Sequence, residues 1–182
     1  MKQIQRILVP TDLSEHSRRG LTYACSLATE NKANLVVLHV ANAFELWQLY
    51  ADELSFYTPP PRSWPLDRVL SEASLDLNRF LEPHLESMKQ IPSVSKRLAL
   101  GPIPDKIALV AQEENADLIV MSPRRARRFG HLFTPSITDR VMRMSPCPVL
   151  SCRWRLRLRL RPWRGKLTQA WFGWPGQRMA ST

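Results

Sequence analysis

Acidic residues are missing from the last stretch of this chain. Residues 151–182 hold eight Lys or Arg and no Asp or Glu. The formal charge of +10 over 182 residues is therefore unevenly placed. The preceding 150 residues carry 18 basic and 16 acidic side chains, a near balance. Attraction to nucleic acid or to an anionic membrane is then a property of the tail first.

Long apolar runs are missing too. None approaches the roughly 18 residues of a membrane-spanning helix. The start, Met1 to Arg6, has no signal-peptide pattern and runs straight into an apolar segment, so the expected location is cytoplasmic. Cysteine is scarce: Cys25, Cys147 and Cys152 form neither a disulfide framework nor a zinc spacing. Cys25 in a helical pattern and Cys147 beside a strand read as buried, unreactive thiols. His16, His84 and His131 are scattered and have no metal-ligand spacing. No Ser/His/Asp set and no paired carboxylates are visible, so no catalytic residue is assigned.

What is present is an alternation of strands and helices. Ile4 to Val9 is a short apolar run that stops at Pro10-Thr11-Asp12, which suits a strand buried on both faces. Ser14 is placed to cap a helix over 15–31, where Leu21, Ala24, Cys25 and Ala28 recur at helical spacing. Residues 33–40 are a second buried strand, which implies a right-handed parallel crossover. Ala43, Trp47, Tyr50 and Leu54 allow a short helix, and Thr58-Pro59-Pro60-Pro61 favours an extended insertion. A long helical pattern covers 66–90, with Pro83 set to kink or divide it. Residues 94–100 form a third strand, stopped by Gly101-Pro102. A helix over 104–114, a strand over 116–121, a loop over 122–135, a helix from Ser136 and a strand over 146–150 complete the pattern. The sum is an α/β domain with five mostly parallel strands.

Four segments together resemble the universal stress protein family. They are Ile7-Leu8-Val9-Pro10-Thr11-Asp12-Leu13-Ser14, residues 33–40, residues 115–121, and Ser136-Ile137-Thr138-Asp139-Arg140-Val141 followed by Pro146-Cys147-Pro148-Val149-Leu150. The last is the most specific. The resemblance covers about residues 1–152 and leaves out 153–182. It implies a flavodoxin-like (adenine nucleotide alpha-hydrolase-like) three-layer sandwich with strand order 3-2-1-4-5. It also implies an ATP or AMP site in many members. Carried over by position, that site would comprise Pro10, Thr11, Asp12, Val40, Ser122 and Ser136.

The glycine-rich G-x2-G-x9-G-[ST] loop of that site does not carry over. Its three glycine positions are Ser122, Arg125 and Pro135 here. Glycine lets backbone N–H groups approach phosphate oxygens, whereas proline has no N–H to donate. The resemblance is therefore closer to the branch that lacks the ATP-binding loop. Arg124, Arg125, Arg127 and Arg128 in the same loop offer an alternative, since guanidinium groups bind phosphate bidentately. A solvated arginine face is the plainer account.

Several of these residues have structural readings as well. Asp12 can hold a nucleotide or cap the turn and the following helix. Ser136 can contact phosphate or serve only as an N-cap. His39, near the end of a buried strand, reads as a satisfied structural histidine.

In the tail, Arg153 to Arg161 alternates arginine with apolar residues, and Trp154, Trp163, Trp171 and Trp174 follow the same basic stretch. Such a segment can bind nucleic acid by charge and stacking or enter an anionic membrane interface. It also reads as an aberrant extension, poorly ordered past Pro162, of a domain ending near Cys152.

The functional expectation is a cytoplasmic stress-response module, not an enzyme, acting through dimerisation and binding with weak or absent ATP binding. Its homodimer would pair through the last strand, Val149, Leu150 and Ser151. The alternatives are a member that signals through ATP or AMP, with slow hydrolysis, and a nucleic-acid or membrane binder acting through the tail. A protein partner is expected but not specified.

Overall fold

The computed structural model describes residues 3–41, 66–122 and 136–152 of the chain. It opens with strand β1 (Arg6–Thr11), helix α1 (Glu15–Asn31) and strand β2 (Asn34–Ala41). Helix α2 (Leu66–Leu81) leads into a 3-10 turn (Glu82–His84) and the single-turn helix α3 (Leu85–Met88). Strand β3 (Val94–Leu100), helix α4 (Ile103–Glu113) and strand β4 (Leu118–Met121) follow. Helix α5 (Ile137–Met144) and strand β5 (Val149–Ser151) end the described part. The strands form one sheet in the order β3-β2-β1-β4-β5, and every pairing is parallel.

Alternation along the strands builds two cores. Ile7, Val9, Leu35, Val37, Leu118 and Val120 face α1, α2 and α3, where they meet Leu21, Ala24, Leu77 and Phe80. Leu8, Val36, Leu38 and Ile119 face α4 and α5, where they meet Ile107, Val110 and Val141. Ile7 and Leu8 are both fully buried, one on each face. Each contributes roughly 2 kcal/mol by leaving water. Burial on both faces is why these strands read as continuous apolar runs.

The boundaries that shift have local causes. Asp117 accepts the N–H groups of Gln5 and Arg6 at 3.0 and 3.1 Å, so β1 starts at Arg6 and not at Ile4. The N–H of Ala116 is still bonded to Ala111 O at the end of α4, which delays β4 to Leu118. The Ser145 hydroxyl donates to Cys147 O and accepts from Cys147 N–H, tying residues 145–147 into a turn before β5. Pro83 divides the long helix, as its missing N–H requires, and the break takes the form of the 3-10 turn.

The short helix expected over 43–54, the Thr58-Pro61 segment, the loop containing Arg124, Arg125, Arg127, Arg128 and Pro135, and the basic tail lie outside the described residues. Among the described residues, no helix is long and apolar enough to cross a membrane.

Candidate functional site

The sheet opens between β1 and β4. From β1 the chain winds one way to β2 and β3, and the other way lie β4 and β5. That reversal is the topological switch point of an open α/β sheet, where ligands bind beyond the carboxyl ends of the strands. β1 pairs with β2 as far as Thr11–His39. Its ladder with β4 stops at Leu8–Ile119.

Proline explains the difference. Gln5 O accepts from Asn34 N–H beside β2, and Arg6 O accepts from Asp117 N–H beside β4. Odd residues of β1 thus turn their backbone groups to β2 and even residues to β4. Pro10 is even, so the missing N–H falls on the β4 side, where the ladder ends.

The loop after Thr11 is tied together by short hydroxyls. Thr11 is buried, and its hydroxyl accepts the Leu13 N–H at 3.0 Å. Leu13 takes φ +60°, a left-handed conformation that costs a non-glycine residue roughly 1 kcal/mol. Asp12 is exposed, and its Oδ1 accepts the Ser14 N–H at 3.0 Å together with the hydroxyls of Ser14 and Ser17. Ser17 Oγ in turn accepts the Asp12 N–H at 3.3 Å. Ser14 caps α1 by accepting the Ser17 N–H at 3.3 Å. These are the bonds of the capping role, one of the two roles open to Asp12, and they set its charge at the positive end of α1.

The other candidate residues divide by location. Val40 is buried in β2, one residue past its pairing with β1. Ser122 directly follows β4 and packs on α1. A Cβ added to Gly20 would collide with Ser122 Oγ and press on Ser122 Cβ, so the glycine lets the serine hold this rotamer. The Ser122 hydroxyl is buried and has no partner among the described residues. Pro10, Thr11, Asp12, Val40 and Ser122 thus line the carboxyl edge of three adjacent strands. Ser136 starts α5, where its hydroxyl accepts the Asp139 N–H at 3.1 Å and the Asp139 carboxylate accepts the Ser136 N–H at 3.2 Å. This is a complete capping box.

His39 donates from Nδ1 to the Thr11 carbonyl at 3.0 Å, a structural bond that joins β2 to the end of β1. Cys25 and Cys147 are buried as expected. Burial pushes the thiols of Cys25 and Cys152 up to about 11 and raises that of Cys147 as well. Among the described residues, no group of three His, Cys, Asp or Glu is placed to hold a metal ion.

Ser17 and Gly20 were not singled out from the sequence. The isolated glycine within a helical pattern was the available signal, since such a residue marks a close approach. Ser17 gave none, because its contact with Asp12 depends on how the loop meets the helix.

Comparison with known proteins gives a consistent picture. A family model described as the universal stress protein family matches residues 3–153. A universal stress protein of Thermus aquaticus, named for its place in the QAH/OAS sulfhydrylase 3' region, is 30% identical over 148 residues, covering 81% of this chain and 97% of that protein. The structure resembles the universal stress protein UspA from Lactobacillus plantarum, with a TM-score of 0.61, 24% identity, and 84% and 100% of the two chains covered. It also resembles a universal stress protein solved in complex with cAMP, with a TM-score of 0.60, 20% identity, and 83% and 98% covered.

Proposed function

The chain belongs to the universal stress protein family, and from that premise we propose that it is a regulatory binding module and not an enzyme, with weak or absent ATP binding. Ser122 carries the reading. At the first position of the family's glycine loop this chain has a serine whose Cβ and Oγ are packed against Gly20 of α1. A glycine there would leave backbone N–H groups free to approach phosphate. The sequence continues with Arg125 and Pro135 at the other two glycine positions. Pro10, Thr11, Asp12 and Val40 lie at the carboxyl edge of the sheet, where the base side of such a site would be, and Pro135 has no N–H to offer on the phosphate side.

The opening of the sheet at Pro10 favours a second reading, in which the crevice still takes an adenine nucleotide. The cAMP complex of a relative with the same fold supports that reading. The two are separated by titrating the full chain with Mg-ATP, and separately with AMP, in a calorimeter. The first reading expects no saturable heat in the low micromolar range. Saturable heat in that range, lost in Asp12→Asn, establishes the second.

We further propose a homodimer seated on β5. Within the described sheet β5 is an edge strand. Pro148 O accepts the Ile119 N–H, and the Cys152 N–H reaches Met121 O. Even residues of β5 thus face β4, which leaves the N–H and C=O groups of Val149 and Ser151 on the outer side. The opposite edge, β3, has exposed Ser95, Lys96 and Arg97, a charged edge that discourages pairing. β5 has no such charge.

A further inference from the structure

His84 closes the 3-10 turn after α2 and is only 6% exposed. Its ring stacks on Phe80, with centroids 6.4 Å apart. Phe80 also receives the Arg18 guanidinium, 4.7 Å above its centroid, and Arg18 donates to Phe80 O at 2.9 Å. His84 Nε2 lies 3.0 Å from the Thr22 hydroxyl.

The proton positions follow from donor counting. The Thr22 hydroxyl donates to Arg18 O at 3.1 Å. Its one proton is committed, so it accepts from His84 Nε2–H. The neutral ring then has its lone pair on Nδ1, which is buried and has no partner among the described residues. We propose that the His84–Thr22 contact is an acid-labile latch that seats α1 against the end of α2.

A proton added at Nδ1 would create a buried N–H with no acceptor among the described residues. It would also set an imidazolium beside the Arg18 guanidinium. After burial, the influences on the ring all come from α1: the Arg18 guanidinium opposes protonation, while a hydrogen bond to the Arg18 backbone and the Glu15 carboxylate favour it, without outweighing the first two. Glu15 is partly spent on Arg18, to which it is bonded at 3.1 Å. From α2 the ring meets the uncharged Phe80, while Asp76 and Arg79 pair with each other at the exposed surface. Glu82 and Glu86, in its own segment, are exposed. Desolvation is the largest influence and also lowers the ring's affinity for protons.

The latch has a direction. The unfolded chain takes up this proton near pH 6.5, and the folded chain only below that. Stability is therefore complete above pH 6.5 and lost as pH falls toward the folded value, with the folding constant dropping about tenfold per unit of separation. Thr22 lies on α1 little more than a turn beyond Ser17, which holds Asp12. Acid that releases the latch loosens the helix on which the crevice loop is built.

Histidine-labelled full-length protein tests this by NMR, with the His84 ring assigned through its contacts with Phe80. The expected result is an Nε2–H tautomer at pH 7.5 and a titration midpoint below 6.5. An Nδ1–H tautomer, or a midpoint at or above 6.5, overturns the proposal, and neither reading depends on a variant that folds. In urea unfolding between pH 7.5 and 5, wild type should lose stability more steeply than both His84→Phe and His84→Gln. Equal slopes would also overturn it.

Discussion

Replacing Asp12 separates its two roles. In Asp12→Ala the Ser14 N–H and two hydroxyls lose their acceptor. The loss is limited, because no buried donor is stranded. Ser17 Oγ, the buried partner, lies 3.1 Å from Ser14 Oγ and can donate there, and it still accepts the Asp12 N–H. Ser14 is only half-buried and can turn to water. What is lost is one cap-type bond, worth about 1 kcal/mol, and a negative charge at the start of α1, worth about 0.5 kcal/mol at such an exposed site. The expected destabilisation is about 1.5 kcal/mol, or roughly 3–6 °C in Tm for a domain of this size. Asp12→Asn keeps the carbonyl acceptor and should cost only the charge, about 0.5 kcal/mol. Urea unfolding at pH 7, followed by far-UV circular dichroism with an unchanged m-value, measures both. If Asp12→Ala stays within about 0.3 kcal/mol of wild type, the capping account is wrong. If Asn costs as much as Ala, the hydrogen bonds contribute nothing and only the charge matters. This calibration is also why Asp12→Asn is the variant for nucleotide titration.

Gly20→Ala should be destabilising by about 1 kcal/mol net, since overpacking against Ser122 outweighs the helix-propensity gain. In a Ser122→Gly background the same change should become stabilising by about 0.5–1 kcal/mol. A double-mutant cycle with no coupling would show that the two residues do not press on each other. Ser151→Pro removes an outward N–H from β5 and leaves the bonds to β4 intact, so it should yield a folded monomer by sedimentation. A persistent dimer would place the interface elsewhere. With thiols near 11, Cys25 and Cys152 are about one part in a thousand ionised at pH 8. Ellman's reagent should label native protein far more slowly than protein in denaturant, and equal rates would contradict the burial of these groups.

The sequence made the fold legible because its signals were local. The range of α1 was marked by Ser14 and by the spacing of Leu21, Ala24, Cys25 and Ala28, and the structure returns the same residues. β3 also matched to the residue. The starts of β1 and β5 shift for reasons that hydrophobic patterning does not show, the first distant in sequence and the second local. Asp117 sets the start of β1 from more than a hundred residues away, and no window of sequence contains that bond. β5 was drawn from Pro146, but two prolines and a serine-tied turn postpone the ladder to Val149.

Five of the candidate residues were legible as neighbours along one edge of the sheet, while the contacts each makes were not. Pro10 was carried over as a neighbour of Asp12. Only the alternation of backbone groups shows that its missing N–H faces β4 and coincides with the end of that ladder. Ser122 was counted as a lost glycine. The structure adds that the change is coupled, since the serine holds its rotamer because residue 20 has no side chain. Restoring a glycine at 122 alone would leave a gap beside Gly20 and Pro135 still without an N–H. Recovering a phosphate cradle by substitution therefore requires changes at both ends of the loop, and a single Ser122→Gly variant should gain no affinity for ATP.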